Sequence, residues 1–243
     1  MSWMTAFVDY PASAAPAGTA FWQGVTASTL SSRRGTHAQF VTLLPAAGDA
    51  CLRVQTISNA DVARVHLDLH SPDRAALTRR ATALGARIVH EEDDVTVLTS
   101  PGGFAFCTVG WDGEATPPAP VGRSGVSSAV DQLCLDAPPE TAADELAFWT
   151  SFTGWPATTG RLAAFHRIQV PTRLPIQLLL QRQDAGGRRV SGHLDLAVEA
   201  REHETARHVA LGADLVSRHE FWSVMADPTG LVYCLTDRLP RRP

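Results

Sequence analysis

An α+β fold of four βαβββ modules is predicted by three observations. The chain repeats itself at a constant offset. Each repeat carries period-two alternation followed by a helix-spaced run, and Pro, Gly and Asp punctuate the runs where turns belong. The offset is 127 residues, read from His66 and His193 (193 − 66), Gly85 and Gly212 (212 − 85), Pro101 and Pro228 (228 − 101), and Cys107 and Cys234 (234 − 107). Residues 66–107 and 193–234 share 16 identities over 42 ungapped positions. The same offset pairs Asp9 with Asp136, Pro11 with Pro138, and Phe21-Trp22 with Phe148-Trp149, so the duplicated unit is a whole half-chain.

In chain order, "TAFVDYP" is a strand and "AAPAGTAFWQGVTA" a helix. "HAQFVTLLPAAGDACLRVQTI" holds strands joined by a Gly-Asp turn. In "RVHLDL", Val65, Leu67 and Leu69 point one way and His66, Asp68 and His70 the other, as in a half-buried strand. Ser71 and Pro72 start a helix, with Ser as cap and Pro in the first turn. Leu77, Ala81 and Leu84 line one face of that helix, and Gly85 stops it. "ARIVH", "VTVLTS" and "FAFCTV" are strands, the last two joined by an "SPGG" turn. The second half parallels the first, with "DQLCLDAP", "ETAADELAFWTSFTG" and "LAAFHRIQVPTRLPIQLLLQRQ" preceding "GHLDL". Between the halves, "DGEATPPAPVGRSG" lacks apolar periodicity and reads as a semi-rigid linker. The expected division is domain 1 over 1–111, a linker over 112–126 and domain 2 over 127–243.

A net charge of -4 and the absence of any basic block argue against a nucleic-acid or membrane-surface partner. All 21 basic residues are Arg, which excludes lysine Schiff-base and P-loop chemistry. No signal-like start and no run of about 18 apolar residues is present, which predicts a cytoplasmic protein. The dispersed cysteines then read as reduced thiols. No G-x-S-x-G, G-x-G-x-x-G or H-E-x-x-H occurs.

Paired modules of this order, with "HLDL…ALGA…DPTGLVYC", resemble the vicinal oxygen chelate superfamily of glyoxalase I, bleomycin-resistance proteins and extradiol dioxygenases. The resemblance implies two glyoxalase-like domains, each a cup-shaped mixed sheet with helices on the convex face and a ligand in the concave one. Alternation then turns His66, Asp68, Cys107, His193, Asp195 and Cys234 toward the cup. Trp222 and Trp155 are aromatics able to sandwich a planar ligand.

The superfamily's metal positions fall on Gln132, Gln181, His193 and Cys234 in domain 2, and on Thr5, Gln55, His66 and Cys107 in domain 1. Cys stands where the superfamily usually has Glu, and Gln is a weak ligand, so a degraded or absent metal site is expected. Any ion would be divalent Zn, Fe or Mn. Asp195 is the nearest carboxylate able to act as a base, but two positions along a strand place it about 7 Å from His193. That spacing argues against both meeting one ion.

Three readings stay open. One is a bleomycin-resistance-like protein binding a small organic molecule; a second is a metal-assisted lyase, isomerase or dioxygenase acting on vicinal oxygens. A third is a scaffold in which the first domain only supports the second. The helix bearing His203 and His208 beside Glu202, Glu204 and Arg207 reads as a solvated face, and Phe21-Trp22 and Phe148-Trp149 as core. Either a monomer, as a pseudo-dimer of domains, or a homodimer fits.

Overall fold

The structure is a computed structural model that describes residues 1–58, 61–123, 125–185 and 187–241. The first module holds β1 (Trp3–Pro11), α1 (Ala15–Thr26), β2 (Thr29–Leu30), β3 (Phe40–Leu44) and β4 (Leu52–Ile57). The second holds β5 (Arg64–His70), α2 (Arg74–Ala83), β6 (Arg87–Glu91), β7 (Val95–Thr99) and β8 (Ala105–Val109). After β9 (Val121–Arg123), the third holds β10 (Val126–Ala137), α3 (Ala142–Thr153), β11 (Ala157–Thr159), β12 (Phe165–Ile168) and β13 (Gln177–Arg182). The fourth holds β14 (Ser191–Val198), α4 (Arg201–Ala210), β15 (Asp214–Arg218), β16 (Trp222–Ala226) and β17 (Val232–Thr236). All four modules run in the expected βαβββ order. β9 lies inside the segment read as an irregular linker, and it pairs antiparallel with β10; Ser124 of that segment lies outside the described residues.

Hydrogen bonding orders the strands β2-β3-β4-β1-β5-β8-β7-β6 in one sheet and β11-β12-β13-β10-β14-β17-β16-β15 in the other. Both sheets are mixed. β5 with β8 and β14 with β17 are parallel, whereas β7 with β8 and β16 with β17 are antiparallel. Among the described residues, no helix is long and apolar enough to cross a membrane.

Packing gathers the chain into two compact units. Unit one is Met1–Ala6, Val65–Ala115 and Leu133–Gly192; unit two is Phe7–Arg64, Thr116–Gln132 and His193–Pro243. Each unit takes its helices and most of its strands from one module of either half.

In unit one the register Leu67↔Phe106 and Asp68↔Cys107 sorts the side chains of β5 and β8 onto two faces. Leu67, Leu69, Phe106 and Thr108 share the face that meets the helices. Thr78 of α2 hydrogen-bonds Thr108 at 2.6 Å. Phe148, Trp149 and Phe152 of α3 surround Phe106, with ring centroids 6.0, 5.3 and 5.7 Å away. Fully burying an aromatic or large aliphatic side chain contributes about 1.5–3 kcal/mol, and a well-set ring pair about 0.5–1.5 kcal/mol more. This ring cluster is therefore the main apolar anchor of the unit.

Two details of α2 differ from the sequence reading. The helix starts at Arg74, and its cap is Asp73, whose carboxylate accepts from Ala76 N at 2.8 Å. Ser71 caps nothing in the helix; its hydroxyl accepts from Asp73 N at 3.2 Å, holding the approach. The carboxylate prevails because it reaches a first-turn amide and carries charge at the positive end of the helix. Leu84 lies past the last helical turn and is 38% exposed, so the packed stripe is Leu77, Thr78 and Ala81.

Unit two repeats the arrangement with β14 and β17, in the register Leu194↔Tyr233 and Asp195↔Cys234. Phe21 and Trp22 of α1 pack on Tyr233 at 5.7 and 5.3 Å between ring centroids. The expectation of a solvated face on α4 fails for His208, Glu204 and Arg207. His208 is 0% exposed and Glu204 is 1% exposed. Glu204 takes two hydrogen bonds from Arg207, at 2.6 and 2.9 Å, and His208 Nδ1 lies 2.8 Å from the Tyr233 hydroxyl. A buried, mutually paired polar set is tolerated where an unpaired one is not. Only Glu202 and His203 of that run face solvent.

Candidate functional site

The face of each sheet opposite the helices carries the polar residues that alternation placed there. In unit one, Asp68 pairs in register with Cys107, and His66 and His70 flank Asp68 on the same side of β5. The ligand atoms of His66, Asp68 and Cys107 all lie within 4.8 Å of one another, and the three residues are buried. His66 Nε2 is 3.5 Å from Asp68 Oδ1. Burial pushes the Cys107 thiol up to about 11; the Asp68 carboxylate adds to this and a hydrogen bond with His66 opposes it.

In unit two, His193 Nε2 stands 3.2 Å from Asp195 Oδ1 and 3.5 Å from Cys234 Sγ. The side-chain amide of Gln132 donates a short hydrogen bond to Asp195 Oδ2. The strand-spacing argument against His193 and Asp195 meeting one ion is thereby corrected. Their backbones are two residues apart, but both side chains lean toward each other on one face and close the gap. In both copies an aspartate two residues along the strand brings a carboxylate oxygen to the His Nε2, at 3.5 Å for His66 and 3.2 Å for His193.

The remaining sequence candidates lie on other elements. Gln181 sits on β13, where its amide oxygen lies 4.0 Å from the Cys134 thiol. Gln55 lies on β4 opposite Phe40 and is half-buried. Thr5 on β1 is buried, and its hydroxyl meets His70 Nε2 at 3.0 Å. Trp222 shares the Cys234 face through the registers Val224↔Cys234 and Trp222↔Thr236. It is half-buried, and His219 stacks on it with centroids 4.4 Å apart and planes 10° from parallel. Trp155 follows α3 and is half-buried.

Sequence reasoning missed the Thr5–His70 pair and the acid next to it, Glu114, whose Oε1 lies 4.0 Å from His70 Nδ1. The signal was present, since His70 continues the polar face of His66 and Asp68. It also missed Arg238, which clamps buried Asp131 at 2.7 and 3.2 Å. Burial raises the Asp131 carboxyl above its ordinary value even against that guanidinium. Nearby, burial with the Asp131 charge pushes the Cys51 thiol up to about 12, so this cysteine stays protonated. All four cysteines are buried thiols, none in a disulfide.

A model of the glyoxalase-like domain family matches the chain twice, over residues 5–109 and 132–236. A search of curated proteins gives no significant match. Among solved structures, the Mn(II)-bound glyoxalase from Novosphingobium aromaticivorans superposes with a TM-score of 0.67 at 16% identity, over 97% of this chain and 81% of that one. The 2,2',3-trihydroxybiphenyl 1,2-dioxygenase from Sphingomonas wittichii gives 0.62 at 14% identity, over 96% and 88%. A 2,3-dioxygenase from Pseudomonas gives 0.63 at 15% identity, over 98% and 92%. At such identities the likeness is one of fold. With both halves matched, the chain belongs to the glyoxalase-like domain family, a tandem member of the vicinal oxygen chelate superfamily.

Proposed function

We propose that the protein binds a small organic molecule carrying neighbouring oxygen atoms on the faces of its sheets opposite the helices, with the His–Asp–Cys trios as polar anchors. The observation that supports this most directly is the trio itself. On the sheet face that the helices leave aside, buried His66, Asp68 and Cys107 converge in one copy, and half-buried His193 meets both Asp195 and Cys234 in the other. Burying such groups is tolerated because they pair with one another, and the pairing holds their polar atoms together on one face. Binding sites pair an apolar wall with a few convergent polar groups, and the half-buried Trp222–His219 stack supplies an aromatic wall near Cys234.

The donor set also fits a divalent cation. Imidazole nitrogen, carboxylate and thiolate suit Zn²⁺ and Fe²⁺, and Asp with ionised Cys carries two negative charges against two positive. A bound ion would supply Lewis-acid polarisation of two adjacent ligand oxygens. The glyoxalase and dioxygenase neighbours favour that second, metal-assisted reading, in which Asp195 is the carboxylate placed to hold a proton near His193.

The test is tryptophan emission of the full chain titrated with catechol and with pyruvate. Saturable quenching that disappears in Trp222→Leu and weakens at least tenfold in His193→Ala supports the binding reading. A flat response to both compounds up to millimolar concentration sinks it for these classes.

A further inference from the structure

We propose that His219 is a built-in occupant of a ring-stacking site on Trp222, and that a flat ligand ring enters unit two by turning that imidazole away. The proposal rests on the binding-face reading and adds how one end of that face is kept covered.

The stack is built by the hairpin that joins β15 to β16. Arg218 pairs in register with Ser223, and His219 N donates to Trp222 O at 2.8 Å. Residues 219 and 222 therefore stand opposite each other across a two-residue turn. Opposed positions send their side chains to one face, with Cβ atoms about 4.5–5.5 Å apart. That face is the one Trp222 shares with Cys234. The imidazole lies flat on the indole, with centroids 4.4 Å apart and planes 10° from parallel.

The turn itself does not require a ring pair. In unit one the equivalent hairpin closes the same way, Glu92 N donating to Val95 O at 2.8 Å. Glu92 and Val95 are the counterparts of His219 and Trp222 (219 − 92 and 222 − 95 are both 127), and Glu92 meets His90 at 2.9 Å instead. The two stacked rings are an addition of unit two alone.

The backbone under the stack is clamped. Arg201 donates to His219 O at 2.8 Å and to Glu220 O at 3.1 Å. Phe221 O accepts from Asp237 N at 2.9 Å, and Arg218 pairs with Glu202. The imidazole is exposed, and among the described residues the polar side chain it meets is Ser217, at 3.1 Å. Water can replace that one contact when the ring rotates away, so the main loss is a single ring stack, which an incoming flat ring restores on Trp222. A cover of this kind lowers the apparent affinity in proportion to the fraction of open molecules. The worth of one ring stack corresponds to about two- to tenfold.

The experiment uses the full-length protein and isolates the emission of Trp222 by subtracting that of Trp222→Leu. Acrylamide, a neutral collisional quencher, reads how covered the indole is with no ligand present. His219→Ala should raise the Trp222 quenching slope at least twofold and tighten catechol binding about two- to tenfold. His219→Phe, which keeps a ring over the indole, should do neither. Circular dichroism and thermal melts confirm that each variant is folded.

An unchanged acrylamide slope in His219→Ala overturns the cover, whatever catechol does. A raised slope with unchanged or weaker catechol binding overturns the competition between imidazole and ligand. Equal tightening in His219→Phe, or equal tightening toward ringless pyruvate in His219→Ala, overturns the assignment to stacking. If neither the unmutated chain nor His219→Ala binds catechol, the binding-face reading fails for that ring and takes this inference with it. The acrylamide slope and the catechol titration thus separate the two failures.

Discussion

Trp149 and Trp22 occupy the same position in the duplicated helices (149 − 22 = 127), yet the two units receive their buried indole N–H groups differently. In unit one, Trp149 donates to Glu145 on its own helix at 2.8 Å, and the other Glu145 oxygen accepts from Gly102 N at 2.9 Å. In unit two the position of Glu145 is taken by Gly18 (145 − 127), and the Tyr10 ring fills the space. A Cβ on Gly18 would lie 2.3 Å from that ring. Trp22 donates to the Tyr10 hydroxyl at 2.7 Å, and Tyr10 donates in turn to Asp227. Asp227 stands where unit one has Ser100 (227 − 100 = 127), which itself supports Glu145. The carboxylate has moved from helix to turn, with a tyrosine bridging the gap. The physical demand, an acceptor for a buried N–H, is met either way.

The helix pairs differ more sharply. Arg80 and Arg207 are equivalent, and each donates to a carbonyl at the C-terminal end of a neighbouring helix: Ser151 O at 2.8 Å and Gly24 O at 3.3 Å. Such a cation favours the negative end of the helix. Around Arg80 sit Leu77 and Ala81; around Arg207 sit Glu204 and His208 (204 − 77 and 208 − 81 are both 127). One unit closes this joint with hydrocarbon and the other with a paired polar set. A polar joint is the more easily broken, because losing one partner strands the others.

That contrast can be broken outright. Glu204→Leu, which copies unit one at a single position, should cost about 3 kcal/mol in urea unfolding, since Arg207 and His208 lose their carboxylate. Adding His208→Ala completes the apolar pattern and should recover at least half of the loss. Strict additivity of the two substitutions would show that the pair is not coupled. A smaller effect is expected at the tyrosine bridge. Tyr10→Phe removes one hydroxyl yet strands the Trp22 N–H and an Asp227 oxygen, costing about 2 kcal/mol. A change below about 0.5 kcal/mol would mean the bridge is replaceable by water.

The gentlest probe is pH. Burial holds His208 below its ordinary value, Arg207 adds to this, and a hydrogen bond to Glu204 opposes it. Burial alone would raise Glu204, but hydrogen bonds from His208 and Arg207 outweigh it and hold the carboxyl well below the usual range. Both folded-state values are depressed, so their contribution is present above the unfolded values and is lost as pH falls, first below about 6.5 for His208 and then below about 4.3 for Glu204. Burial raises Glu145 in unit one, so its contribution has the opposite sign and fades as pH rises through its folded value. Melting temperatures recorded from pH 7 down to 5 should fall in the unmutated chain. The fall should flatten in the Glu204→Leu/His208→Ala variant; an unchanged slope there refutes the assignment to α4.

The fold was legible because it rests on periodicity. The 127-residue offset gave the duplication, and two-residue alternation gave the face on which His66, Asp68 and Cys107 meet. Polarity was a poorer guide to burial. Glu204 and His208 read as solvated because charged residues on a helix usually are; Arg207 stood in the same run, but the Tyr233 hydroxyl that receives His208 comes from the last strand. The His193–Asp195 contact was hidden for a related reason: backbone spacing fixes Cα positions, while side-chain lean decides whether two atoms touch. Gln132 was found as a position but not as a donor, since its partner lies 63 residues away (195 − 132).

The composition of the two units sets an order of events during synthesis. Phe106 leaves the ribosome well before Phe148, Trp149 and Phe152, the rings that cover it, so its strand must wait for the third module. α1 waits longer still, because Tyr233, against which Phe21 and Trp22 pack, lies on the last strand of the chain. A nascent first half therefore carries aromatic surface that its own residues do not bury. Such surface invites aggregation and chaperone capture until the later modules arrive.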